Sequence, residues 1–426
     1  MLVAVMFLAL LAMVLINVPI AVALAISAVI GLVATEGVSS LVTVGLDMYD
    51  GATKFSLIAI PMFVLAGAIM NATGITRRLI NFVSALIGFV RGGLAMINIG
   101  VSLFFAEISG SAVADVAALG SILIPEMKKR GYSAPFSAAV TSSAASLAII
   151  IPPSIPMILY AVSAETSVEQ LFVAGFVPGL LGGLGLMTVA YVFARRYDFP
   201  VEGVFEASRL KTTFLEALPT FALPVIILGG IFGGLVTATE AAGLAVIAAI
   251  LIGLYYREVD LGQLRRAMLD GGMQTAVVML LVAASVLMGG FLTRAQLPQE
   301  LAAAILDFTS NKYVILLLLN IFFLIIGFFL HSAAAIILVV PIIVPLIQQA
   351  GIDPIHFGLV VTLNLAIGQQ TPPVASVLIT ACSIARANIW EVSKVNVYFV
   401  AVLLGVLILC TYVPAVPMML VDLFYR

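Results

Sequence analysis

Two stretches decide how this chain is read: IIIPPSIP at residues 149–156 and QQTPPVAS at residues 369–376. They hold its only two Pro-Pro pairs, Pro152-Pro153 and Pro372-Pro373, set 220 positions apart. Pro125 and Pro345 keep the same offset, as do Gly131 and Gly351. Upstream, each copy has a small-residue stretch, Ser109-Gly110-Ser111 or His331-Ser332-Ala333. An apolar run to a proline follows, then a polar turn with Gly, then a second apolar run into Pro-Pro. A duplicated membrane chain, interrupted at matching places, is the pattern of a secondary transporter and points at its binding site.

Working outward, the chain has 426 residues, 63% hydrophobic and 9% charged. A soluble fold cannot cover that much apolar surface, so the composition is that of a polytopic helical membrane protein. A net charge of −2 argues against a nucleic-acid partner. Cys382 and Cys410 both lie in apolar runs and read as small core residues rather than a disulfide framework. The apolar run starts at residue 2 without a basic leader, so no cleavable signal is expected.

Spans are predicted near 2–16, 19–35, 56–73, 134–164, 170–194, 217–236, 240–256, 272–292, 354–385 and 393–418. The first two are short and meet at Asn17-Val18-Pro19, so one long kinked helix is an alternative reading. The region from Arg195 to Glu216 reads as a loop. The spans 134–164 and 354–385 are too long for one plain helix, and each holds its Pro-Pro, which breaks it. Such a break is tolerated only where it is buried or lines a cavity. Segments 92–128 and 312–350 each read as a spanning pair or a re-entrant hairpin; the Ser-Gly-Ser tip favours the hairpin. Two amphipathic stretches, 75–90 and 296–309, lie flat at the interfaces or extend the neighbouring spans. Fifteen of the 19 Lys and Arg fall on one side of this layout, leaving Lys54, Arg294, Lys312 and Arg426 on the other. That bias places both termini outside. Each half then has an odd number of spans, so the second copy is inverted.

No GxxxxGK[ST], HExxH or paired-Cys pattern is present, and His331 and His356 are too few and too far apart for a zinc cluster. No organic cofactor and no catalytic residue is expected. The hairpin tips carry the chemistry instead. Ser111 suits the N-cap of a helix opening at Ala112, where exposed N–H groups favour an anion. Carbonyls ending the preceding helix suit Na+. Pro153 and Pro373 are expected to open the second half of each broken helix. The residues just before them, Ile149 to Ile151 and Gln369 to Thr371, then present free carbonyls, with side-chain oxygens from Gln369, Gln370 and Thr371. Asn364 is expected to face the same cavity. Glu107 and Asp115 are acids inside an apolar segment, which is costly unless functional or paired.

The run Ile108 to Asp115, Gly120 to Pro125 and Ile151-Pro152-Pro153-Ser154-Ile155-Pro156 resembles the large membrane subunit of TRAP transporters, the tripartite ATP-independent periplasmic family. Ile60-Pro61-Met62-Phe63, Leu65-Ala66-Gly67, Gly74 to Leu79, Arg91-Gly92-Gly93 and Thr371-Pro372-Pro373-Val374 fit as well, so the resemblance covers nearly the whole chain. It implies an all-α, inverted-repeat ion-transporter fold with two re-entrant hairpins and two broken helices, working as an elevator. It implies Na+-coupled uptake of organic acids, such as C4-dicarboxylates or sialic acid, across a bacterial inner membrane. Partners would be a small four-helix membrane subunit, expected to be a separate chain, and a periplasmic substrate-binding protein. The family's ion sites map onto Ser109, Gly110, Ile151 and Pro152 in the first half. In the second half they map onto His331, Ser332, Gln369 and Thr371, although the tip there lacks Ser-Gly-Ser. Ser111, Asp115, Ser154, Asn364 and Gln370 are the candidate substrate contacts. The expected transport units are 92–164 and 312–385. Scaffold spans and arm helices at 1–91, 165–311 and 386–426 surround them. Two rival readings are a stand-alone exchanger of the same superfold and, from another class, an intramembrane hydrolase using Ser111 and Asp115.

Overall fold

The computed structural model describes residues 6, 8–10, 12–13, 16, 18–109, 111–201 and 203–425, with 105–109 and 261 described by their backbone alone. Among these residues there is no strand. In chain order the helices are α1 Ile20–Glu36, α2 Leu41–Ala52, α3 Ala59–Ala72, α4 Ile75–Ile87 and α5 Gly93–Ser109. Next come α6 (112–129), α7 Ala134–Ala145, α8 Ile155–Ser163, α9 Val168–Arg196, α10 Ala207–Phe232 and α11 Ala238–Tyr255. The chain closes with α12 Leu261–Arg294, α13 Leu297–Phe308, α14 Lys312–Phe329, α15 Ser332–Gln349, α16 Pro354–Gly368, α17 Ser376–Ala385, α18 Ile389–Tyr412 and α19 Ala415–Tyr425. Eight described helices are long and apolar enough to cross a membrane.

The offset of 220 holds for whole elements. It carries α5–α6 onto α14–α15, α7 onto α16, α8 onto α17, α9 onto α18 and α3 onto the second half of α12. Local devices follow it. Ser133 and Asp353 cap α7 and α16 through their side chains, and Gly131 and Gly351 just before them both have positive φ, as a tight reversal requires. Both Pro-Pro bonds are cis. A buried Asn on the first helix of each hairpin pins that helix to its own broken helix. Asn98 donates to Thr141 Oγ1 at 2.6 Å, and Asn364 donates to Asn320 Oδ1 at 2.7 Å.

Packing sorts the helices into two groups. α1, α2, α3, α11 and α12 pack on one another. The hairpins and broken helices pack on one another across the repeat: α6 against α17, and α15 against α8. Lys128 donates to the Ala385 carbonyl at 2.7 Å and Tyr160 to the Pro354 carbonyl at 2.8 Å, so each half is tied to the other. α9 and α18 also belong to this second group, because α18 lies along α7 and α16, and α9 along α5 and α18. The sequence-based boundaries left both in the scaffold parts 165–311 and 386–426; the packing moves them to the hairpin group.

Other boundaries change too. The stretch from Arg195 to Glu216 is a loop only in part, since α10 begins at Ala207. The last predicted span, 393–418, is two helices, because Pro414 supplies no N–H and the chain turns there. α2 is a helix where none was predicted. The arms α4 and α13 are separate helices, since Gly74 and Gln296 precede them in the left-handed region, which ends the helix before. α1 starts at Ile20 after Pro19; most residues before it lie outside the described set.

Candidate functional site

At the first tip, Ser111 is extended and caps α6, accepting from the Ala114 N–H at 3.5 Å. Asp115, one turn on, is fully buried, and its N–H donates to the Ser111 carbonyl at 3.0 Å. From Val116 to Gly120 the helix widens by one residue per turn, ahead of Pro125. Gly110 lies outside the described residues, as do the side chains of Glu107 and Ser109.

At the first break, the amides of Ile150 and Ile151 both donate to the Leu147 carbonyl. Pro153 does not open the next helix. Ser154 intervenes: it donates to the Ile149 carbonyl at 2.7 Å and caps α8 through Met157 N–H, so one hydroxyl joins both half-helices. Ser is a far better cap than Pro, and Pro156 fills the first turn where a missing N–H costs nothing. The Ile150 carbonyl points at Gly175 of α9, where a Cβ would lie 2.2 Å from the oxygen; Gly179 makes the same room for the Ile151 side chain. No hydrogen bond to the carbonyls of Ile151 or Pro152 is recorded among the described residues.

The second break is built differently. Val374 replaces Ser154, and α17 opens only at Ser376, after Ala375 in the left-handed region. Here too the proline, Pro373, is not the opener. The backbone does the hydroxyl's work: Val377 N–H donates to the Gln369 carbonyl at 3.1 Å. The Gln370 carbonyl is likewise taken, by Asn396 Nδ2 at 3.2 Å. Two of the three carbonyls expected to be free are therefore engaged.

The Gln370 side chain meets Ser143 Oγ at 2.7 Å, and Ser143 lies 2.8 Å from Asn396 Oδ1. One hydroxyl proton serves one acceptor, so the ring closes when Gln370 turns its amide N–H to Ser143, which donates on to Asn396. Asn364 points elsewhere, toward Asn320, which reaches Thr411 at 3.1 Å. Asn364 and Gln370 therefore do not share a cavity. Both sit in buried amide networks that join α7, α14, α16 and α18.

What remains at this break is a set of acceptors. Gln369 Oε1 and Ser376 Oγ, on its two sides, are buried and have no hydrogen-bond partner among the described residues. Thr371 donates its hydroxyl to the Ile367 carbonyl, leaving oxygen lone pairs to accept. A buried amide oxygen without a donor is costly unless something positive meets it. Hard oxygen donors of this kind suit an alkali cation. Ser332 opens α15 at the neighbouring tip, buried, while His331 precedes it without a side-chain capping bond. α14 crosses α16 at Gly327 and Gly368 with backbone against backbone, which sets hairpin 2 directly on the break. Sequence reading missed Ser143, Asn320, Asn396 and Thr411. Only Asn320 carried a clear signal, a lone polar residue inside a long apolar run.

At the arm α4, Glu258 accepts from Arg77 at 2.9 Å and from Nη1 and Nη2 of Arg78, each at 3.0 Å. Arg78 also stacks 3.7 Å over the Tyr256 ring. The hydrogen bond from Arg78 holds the Glu258 carboxyl below the usual glutamate range. Gly74 leaves room for that carboxylate, since a Cβ there would lie 1.8 Å from Glu258 Oε2.

Comparisons with known proteins fit this geometry. The family profile of the tripartite ATP-independent periplasmic transporter, DctM component, matches residues 7–416. The isethionate TRAP transporter permease protein DctMQ of Oleidesulfovibrio alaskensis is 40% identical over 95% of this chain, which spans 64% of that protein's length. The C4-dicarboxylate large permease DctM of Pseudomonas aeruginosa is 37% identical, covering 89% of this chain and 90% of its own. The sialic acid large permease SiaM of Vibrio cholerae is 34% identical over 89% of each. Among solved structures, the Alcanivorax borkumensis YdaH transporter superposes with a TM-score of 0.64 over 89% of each chain at 17% identity, which shows the fold alone.

Proposed function

The chain belongs to the DctM-component family of tripartite ATP-independent periplasmic transporters, and on that premise we propose that it is the large permease subunit of a Na+-coupled importer of small organic anions. It is a multi-pass membrane protein and a transporter permease, not a hydrolase. The observation that carries the ion assignment is the buried, donorless Gln369 Oε1 at a broken helix, with Ser376 Oγ on the other side of the same break also without a partner among the described residues. Gln369, Thr371 and Ser332 would hold the second ion, with His331 alongside. Ser109, Gly110, Ile151 and Pro152 would hold the first. Na+ held by these residues would supply positive charge between the tip and the break. This chain's own part is to offer neutral oxygens and exclude water.

The substrate would meet the N-terminus of α6 through Ser111 and Asp115. Ser154 and Gln370 would act by fixing the helices that frame it, because their side chains already bond to them, and Asn364 would do so through its Nδ2 while its buried Oδ1 stays without a donor among the described residues. Relatives named for C4-dicarboxylate, sialic acid and isethionate share an anionic carboxylate or sulfonate, and that is the class proposed here. A small four-helix membrane subunit and a periplasmic binding protein complete the system in a bacterial inner membrane, with both termini periplasmic. The hairpin group, α9 and α18 included, moves as one rigid body past α1–α3, α11 and α12, with α4 and α13 as arms.

Proteoliposomes holding the chain with its small subunit test this. Uptake of labelled C4-dicarboxylate, sialate or isethionate should need both an inward Na+ gradient and the cognate binding protein. Uptake without the binding protein would make the chain a stand-alone exchanger. Robust uptake driven by a pH gradient without Na+ would remove the ion assignment.

A further inference from the structure

The 220-residue offset places matching positions of the two halves side by side, and at one pair their surroundings differ. On hairpin 2, Leu338 and Ile342 of α15 pack against the cluster of α1 and α12 formed by Leu24, Ala28, Ala284, Leu287 and Met288. Ser285 of α12 adds a hydrogen bond to the Ile337 carbonyl at 2.9 Å. On hairpin 1 the mates of Leu338 and Ile342 are Ala118 and Ile122. There the matching surface of α3 and α4 stands off across an open cavity. Ala118 and Ile122 line this cavity of about 420 Å³, whose other wall is Asn71, Gly74, Thr76 and Arg77, at the junction of α3 and α4. Ile122 is 52% exposed.

The opposite face is shut by bonds between the two helix groups. Lys54 Nζ donates to the Val162 carbonyl at 3.4 Å, and Ala238 N–H donates to Glu169 Oε1 at 3.1 Å. Among the described residues no such bond joins the mates of the first pair, Gln274 and Cys382. The same two surfaces are thus closed in one half and parted in the other.

We infer that the structure is the state closed at hairpin 2 and open at hairpin 1, and that Leu338, set against Ala118, is the positioning residue that makes this the resting state. The inference rests on the rigid-body movement proposed above. In the opposite state the environments exchange: Ala118 and Ile122 are buried against α3, while Leu338 and Ile342 line the open cavity. Ile122 and Ile342 are identical, so their contributions cancel. Leu338 and Ala118 do not cancel. Burying a leucine removes several more methylene equivalents from water than burying an alanine, so the equilibrium leans toward the closed hairpin 2.

Labelling rates test this in a chain with Cys382 and Cys410 replaced by serine and one cysteine placed by Ile122→Cys or Ile342→Cys. A small water-soluble methanethiosulfonate should label position 122 fast and position 342 slowly. Adding Leu338→Ala should lower the first rate and raise the second, changing their ratio by about tenfold. The reciprocal Ala118→Leu should move both rates the same way as Leu338→Ala. Unchanged rates would overturn the inference, and so would a rise at both positions, which marks loosened packing. So would faster labelling at 342 than at 122 in the otherwise native sequence. Neither substrate nor Na+ enters this readout. A failed uptake experiment therefore counts against the transport reading alone, and an unmoved labelling ratio against this inference alone.

Discussion

Gly368→Ala is the sharpest test of how hairpin 2 is held on its broken helix. A Cβ at Gly368 would stand 2.5 Å from Gly327 Cα, 2.6 Å from its carbonyl carbon and 2.9 Å from its carbonyl oxygen. All three are backbone atoms, so no side chain can turn away. Ordinary contact begins near 3.4 Å, and α14 must therefore retreat from α16 by about 0.9 Å. Overpacking of this kind costs about 1–3 kcal/mol. The larger effect falls on function. Gln369 follows Gly368 directly, and the tip at His331 and Ser332 ends the helix that must move. A displacement of about 1 Å at a site of fixed geometry can cost about 100-fold in rate. The initial rate of uptake and thermal unfolding should be measured together. Uptake is expected to collapse while unfolding shifts modestly. Gly327→Ala meets its nearest atom at 3.0 Å and should be milder, and Gly405→Ala, with nothing within 4 Å, should be silent. Native uptake in Gly368→Ala would refute the claim that the tip and break form one site.

Ser154→Ala removes both bonds of the hydroxyl that joins α7 to α8, and should lower stability by about 1–2 kcal/mol. Ser154→Thr keeps them and should stay near native; equal melting of the two variants would show the bridge to be idle. At the arm, Arg78 holds Glu258 below its ordinary range, so the contribution of the ion pair is present above that range and lost as pH falls through the depressed value. Corrected hydrogen exchange at residues 74–78 should be flat near neutral pH, begin to rise as pH falls through the ordinary glutamate range, and level off below the depressed value. Glu258→Gln should show the raised exchange throughout. Identical profiles for the two chains would remove the clamp from the account.

Much of this fold is legible in the sequence because its signals are one-dimensional. Hydropathy runs give the spans, two Pro-Pro pairs give the breaks, and one constant offset carries the helices, the Pro-Pro pairs and the Gly131 turn of the first half onto the second. What escaped depends on rotation and neighbours. Asn364 lies inside α16 and Gln370 in the turn two residues past its end, and only the packed structure shows that Asn320 meets the first and Ser143 the second. The free carbonyls expected at 369 and 370 are engaged because Val377 and Asn396 fold back onto them, contacts with no local signature. Pro153 suggested a helix start, but the stronger cap was its neighbour Ser154. The helix Leu41–Ala52 was passed over because Gly45, Asp47, Asp50 and Gly51 dilute its apolar pattern. Hydropathy likewise does not say which helices lie together: α9 and α18 are legible as spans, but their packing against α5, α7 and α16 is not.

The central claim is that this chain itself binds Na+ where hairpin tips meet broken helices. The most direct measurement is thermal unfolding of the purified protein in NaCl against KCl at equal ionic strength, for the native sequence and for Gln369→Leu. A ligand that binds only the folded state at 100 times its dissociation constant adds about 2.7 kcal/mol. The account predicts a concentration-dependent rise in unfolding temperature with Na+ that K+ does not reproduce, reduced in Gln369→Leu. Equal unfolding in the two salts, or a Na+ response unchanged by Gln369→Leu, would contradict it.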